Sequence, residues 1–162
     1  MNLSNQNKWI AAGLSCALRI FTGGTFVFSG LVKLLEPYEN FRGILAQYEL
    51  IPHFLNPILA HSIPWLEFLT GVFLILGFST GLAASLAGGL AAGFALLLAV
   101  SMLMKAGLPA HCGCFGQALA LSLKQMLVLD LVNALSGLYL VLKPCKALAL
   151  DRFFPDPKGG EN

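Results

Sequence analysis

The sequence predicts an all-α integral membrane protein, a bundle of four spanning helices with one short amphipathic helix in its first loop. Two observations carry this. Hydrophobic residues make up 57% of the 162-residue chain, charged residues only 11%, and the mean hydropathy is +0.76. A water-soluble domain carries about a quarter charged residues. The apolar residues also fall into long stretches near the roughly 20 residues that a helix needs to cross the hydrocarbon. The net charge of +2 comes with no basic run, so the chain has no nucleic-acid footprint.

The first stretch runs from about Trp9 to Leu35 and is interrupted by Arg19. Before Arg19 it is too short for a removable signal peptide. The first loop follows, about Glu36 to Ser62, in which Phe41, Ile44, Leu45 and Tyr48 recur at i, i+3, i+4 and i+7. That spacing places them on one face of a short helix lying on the membrane surface, while Pro52, Pro57 and Pro64 read as punctuation. The second stretch, about Ile63 to Phe78, is short for a span and carries Glu67. The third, Thr80 to Met104, contains no charge and many small residues. Its Gly89 and Gly93 form a G-x-x-x-G pair, which permits close packing inside the bundle or along a homodimer seam. The fourth, about Gln125 to Leu142, carries Asp130 and Asn133. Residues 1–146 are thus expected to form the membrane domain, and residues 147–162 a polar cytoplasmic tail.

Four spans put both termini on one side of the membrane. That side holds Lys8, Lys143, Lys146, Arg152 and Lys158, against Lys33, Arg42, Lys105 and Lys124 on the other. The excess favours cytoplasmic termini, hence a bacterial inner membrane with the third loop facing the periplasm.

Ionisable residues at membrane depth are costly and turn inward. Arg19 and Asp130 lie at similar depths and are expected to pair, with Asn133 a turn away. They form either a register-fixing pair or a polar site for a proton, quinone or substrate. Glu67 is expected about one turn inside the outer end of its span, paired with Lys33. The pair is either a helix-end salt bridge or a proton relay for chemistry at the outer face.

That chemistry centres on Pro109-Ala-His-Cys-Gly-Cys-Phe-Gly116. A disulfide between Cys112 and Cys114 closes a small, strained ring, which suits exchange better than stapling. Gly113 accepts the required backbone angles, and a protonated His111 favours the neighbouring thiolate. Three readings stay open: thiol–disulfide exchange, a soft-metal site in which Cys112, Cys114 and His111 hold Cu(I), Hg(II) or Zn, and a plain turn. Cys16 reads as a small packing residue and Cys145 as a free thiol, although proximity would make them a second redox pair.

Over about residues 17 to 143 the chain resembles the methylamine utilisation protein MauE family, within the wider DoxX-like group. The resemblance is carried by Arg19, Phe28-Ser29-Gly30-Leu31-Val32-Lys33, Tyr48-Glu49-Leu50-Ile51-Pro52, Pro64-Trp65-Leu66-Glu67, Gly71, Gly77 and Cys112-Gly113-Cys114-Phe115-Gly116. It implies a four-helix membrane bundle that supports maturation of a disulfide-rich periplasmic protein. The expected partners are membrane lipid and a periplasmic thioredoxin-like or disulfide-containing client. The layout is also similar to that of quinone-linked disulfide generators. Those carry C-x-x-C and a second outer pair, where this chain has C-x-C.

Overall fold

The computed structural model describes residues 3–48, 51–104 and 122–143. Its elements in chain order are α1 (Leu3–Leu35), α2 (Tyr38–Leu45), α3 (Asn56–Leu76), α4 (Thr80–Met104) and α5 (Leu123–Leu142), with no strand among the described residues. Among the described residues, four helical segments are long and apolar enough to cross a membrane: Ala12–Leu35 of α1, and α3, α4 and α5 whole.

Local sequence explains most of the boundaries. Ser122 and Gln125 form a capping box at the start of α5. The Gln125 amide donates to Ser122 Oγ at 3.4 Å and the Ser122 amide to Gln125 Oε1 at 3.0 Å, satisfying two orphan donors. At the end of α3, Gly77 turns left-handed with φ 69°, a conformation glycine takes at little cost. The amide of Phe78 then reaches back to the carbonyl of Phe73, and that of Gly77 to Leu74. The chain reverses directly into α4, giving an antiparallel hairpin.

α3 differs from its expectation. It begins at Asn56, not near Ile63, so Pro57 and Pro64 lie in the helix and not in a loop. Pro57 sits at the first turn, where a missing N–H costs nothing. Pro64 lies inside the helix, which membrane helices tolerate because neighbouring groups re-satisfy the freed backbone. The second span is therefore of full length.

Polarity is inverted relative to a water-soluble bundle. Large apolar side chains such as Ile20, Leu82, Leu96, Leu135 and Leu138 face outward. Arg19, Thr22, Ser29, Lys33, Glu67, Asp130 and Asn133 are buried. This is the arrangement a hydrocarbon solvent imposes.

With lipid outside, burial of apolar surface does little to drive helix against helix, and close backbone packing takes over. α1 packs most extensively on α3, and α4 on α5. Glycines make both seams. A Cβ at Gly30 would stand 2.6 Å from the Phe68 nitrogen, and one at Gly71 would stand 2.6 Å from the Val27 nitrogen. A Cβ at Gly137 would meet the Gly88 Cα at 2.7 Å. Gly89 and Gly93, the pair singled out by spacing, have nothing within 4 Å and face outward. The close approach belongs to Gly88, one residue earlier, with Ala84, Ala87 and Ala91 buried on the same face.

α2 carries the expected amphipathic face: Phe41, Leu45 and the following Tyr48 are buried and Ile44 is half-buried. That face is not spread on a membrane surface. It docks on the bundle, with Phe41 and Leu45 clustering with Ala60 and Ile63 of α3.

These contacts predict a contrast among glycines. Gly71→Ala should lower the unfolding midpoint in detergent by the equivalent of about 1–3 kcal/mol, as overpacking does. Gly89→Ala should stay within about 0.5 kcal/mol, as open surface positions do.

Candidate functional site

Lys33 and Glu67 meet inside the bundle, and both are almost fully buried. Lys33 Nζ donates to Glu67 Oε1 at 2.8 Å and to Oε2 at 2.6 Å. It also donates to Ser29 Oγ at 2.8 Å, while Ser29 Oγ donates to Glu67 Oε2 at 2.9 Å. The three side chains close a triangle in which ammonium and carboxylate satisfy each other and share a hydroxyl. The ammonium also lies 5.2 Å from the centroid of Phe41 and 5.7 Å from that of Phe94, within cation–π range. α2 therefore supplies an aromatic roof over the ion pair.

The expected Lys33–Glu67 pairing is observed, but its depth differs from expectation. Glu67 lies eleven residues after Asn56, the first residue of α3, roughly 16 Å along the helix at 1.5 Å per residue. It is a mid-helix group and not a helix-end one, because α3 starts earlier than its apolar run. Ser29 was not singled out as a site residue. The available signal was its position four residues before Lys33, one turn away on the same face.

Asp130 and Asn133 are buried on α5. They share a small cavity with Thr25 and Ser29 of α1 and with Glu67. The polar residues of the fourth span thus stand beside the Lys33–Glu67 pair. Arg19 is buried on α1, as its inward orientation requires.

A second, larger space is a lipid-facing groove between α3 and α4 with a volume of about 570 Å³. Leu45, Ile63, Leu66, Gly89 and Gly93 line it, and Phe94 belongs to its wall as well as to that of the polar cavity. Its size falls within the range of small-molecule sites, and its apolar lining suits a lipid chain or a quinone.

Cys16 is half-buried and disulfide-bonded, which replaces its reading as a free packing residue. His111, Cys112, Cys114 and Cys145 lie outside the described residues. Among the described residues no cluster of His, Cys, Asp or Glu is arranged to hold a metal ion.

The fold and the site together define a multi-pass α-helical membrane protein with a buried ion pair and a polar interior. The sequence profile of the family described as methylamine utilisation protein MauE matches residues 9–143. The chain belongs to that family and is a MauE-like membrane protein of methylamine utilisation. No curated protein and no solved structure matches it.

The triangle makes Ser29 a structural test. Ser29→Ala removes a hydroxyl that both charged groups use and should destabilise the protein by about 1–3 kcal/mol. Ser29→Thr, which keeps the hydroxyl, should recover part of that loss in the same unfolding assay.

Proposed function

We propose that the chain is an inner-membrane thiol–disulfide exchange protein that supports maturation of periplasmic proteins in methylamine utilisation, acting through Cys112 and Cys114. The observation that carries this reading is a Cys-Gly-Cys motif in a MauE-family chain, within the segment that joins α4 to α5. In a four-span up-and-down bundle that segment leaves the membrane at the same end as α2 and the C-terminal end of α1. The distribution of Lys and Arg supports cytoplasmic termini and a periplasmic position for that end.

A single exchange balances between the protein's two thiols and the client's disulfide. One Cys thiolate attacks a sulfur of the client's disulfide, forming a mixed disulfide and releasing the client's other sulfur as a thiolate. The second Cys, after losing its proton, attacks the mixed bond. The client leaves with two thiols and the Cys112–Cys114 pair is left oxidised; run in reverse, the same steps oxidise the client. His111 favours the thiolate. Glu67, with Lys33 as its partner, serves as proton relay, and Arg19 and Asp130 pair in the buried polar core. The disulfide at Cys16 supports a protein whose thiols are in use on more than one segment.

The test is covalent trapping. Cys114→Ser or Cys112→Ser should accumulate a mixed disulfide with a periplasmic protein, visible on a non-reducing gel and released by reductant. The double Cys→Ser variant should trap nothing. If neither single variant traps a partner, while the purified protein retains Hg(II) or Cu(I) through washing in a manner that needs both thiols and His111, the protein is a soft-metal binder and the exchange reading falls.

A further inference from the structure

The cavity beneath the Lys33–Glu67 pair offers about 20 Å³ to the centre of a water-sized sphere. One water requires about 10–15 Å³ by that measure, together with two to four polar partners. An organic ligand needs hundreds of cubic ångströms, so a quinone or substrate does not fit. The wall supplies more polar residues than the minimum a water requires: Thr25 and Ser29 from α1, Glu67 from α3, Asp130 and Asn133 from α5.

Asn133 gives the cavity its demand for a donor. The residue is 2% exposed, and its Oδ1 has no hydrogen-bond partner. A buried carbonyl oxygen left without a donor is destabilising, because it has given up its hydrogen bonds to water and gained none in return. Side chains near it are already committed: Thr25 Oγ1 donates to the Phe21 carbonyl at 2.8 Å and Ser29 Oγ donates to Glu67. Both hydroxyl oxygens keep acceptor capacity and have no second proton to offer.

We propose that this cavity is the binding site of one structural water. The water donates one hydrogen to Asn133 Oδ1 and the other to a carboxylate or hydroxyl oxygen of the opposite wall. It joins the α1–α3 pair to α5 through a polar contact where direct packing between those helices is thinner. The site is independent of any thiol chemistry, and its failure would leave the exchange reading untouched.

Met126 also lines the cavity and is 2% exposed, so it reports on water that bulk solvent cannot mimic. The full-length protein, reconstituted in lipid, is pulsed with X-rays so that bound water generates hydroxyl radicals in place, and oxidation of each Met is read by mass spectrometry. Met126 should oxidise in the native protein despite its burial. Asn133→Leu, which removes the acceptor and fills the space, should reduce Met126 oxidation several-fold and leave that of the exposed Met104 unchanged. Asn133→Asp, which keeps an acceptor, should retain the label. An unlabelled Met126 in the native protein shows a dry cavity and overturns the proposal, even if Asn133→Leu fails to fold. Undiminished labelling in a folded Asn133→Leu protein overturns it as well.

Discussion

A lysine and a glutamate buried together in an apolar bundle constrain everything around them. Neither charge tolerates hydrocarbon alone, and removing either partner of a buried pair leaves an uncompensated charge, typically costing about 3–5 kcal/mol. The pairing of Lys33 with Glu67 is therefore not optional once both lie at membrane depth. It demands that α1 and α3 approach closely at one register. Gly30, three residues before Lys33, supplies the approach, because its missing Cβ lets α1 press on the backbone of Pro64 and Phe68. Glycine and ion pair depend on each other: the first sets the distance, the second fixes the register.

The rest of the bundle extends that arrangement. α2 brings Phe41 over the ammonium, which gives its amphipathic face a specific place to dock. α4 and α5 form their own glycine-lined seam through Gly88 and Gly137. α5 in turn carries Asp130 and Asn133 to the underside of the Lys33–Glu67 pair. Polar groups from α1, α3 and α5 thus form one buried patch, and lipid meets an outer surface of Leu, Ile and Phe. That separation lets a small membrane domain keep ionisable side chains while its thiol motif lies in a connecting segment.

Much of this was legible in the sequence because hydrocarbon is a demanding solvent. Span-length apolar stretches, the i, i+3, i+4, i+7 pattern of α2 and the pairing of Lys33 with Glu67 follow from period, length and charge. The start of α3 did not, since Pro57 and Pro64 carry the same local signal in a loop as in a membrane helix, and this displaced Glu67 by about two turns relative to the helix start. Within the bundle the packing glycine of α4 is Gly88, one position before the G-x-x-x-G pair, because that spacing identifies a smooth face without saying what it meets. A disulfide at Cys16 was open in the sequence only as a pairing that proximity would allow: with four cysteines, connectivity is not encoded in spacing. The shared cavity of Glu67, Asp130 and Asn133 was hidden for a related reason, as it depends on how two helix pairs are rotated against each other.

The interdependence of Lys33 and Glu67 is open to direct measurement by a double-mutant cycle in lipid or mild detergent, with Lys33→Met, Glu67→Leu and both together. Each single change should cost about 3–5 kcal/mol, and the double change far less than their sum, since two well-packed apolar side chains can replace a buried ion pair at little cost. Single losses that add within about 0.5 kcal/mol, as independent sites do, would contradict the account.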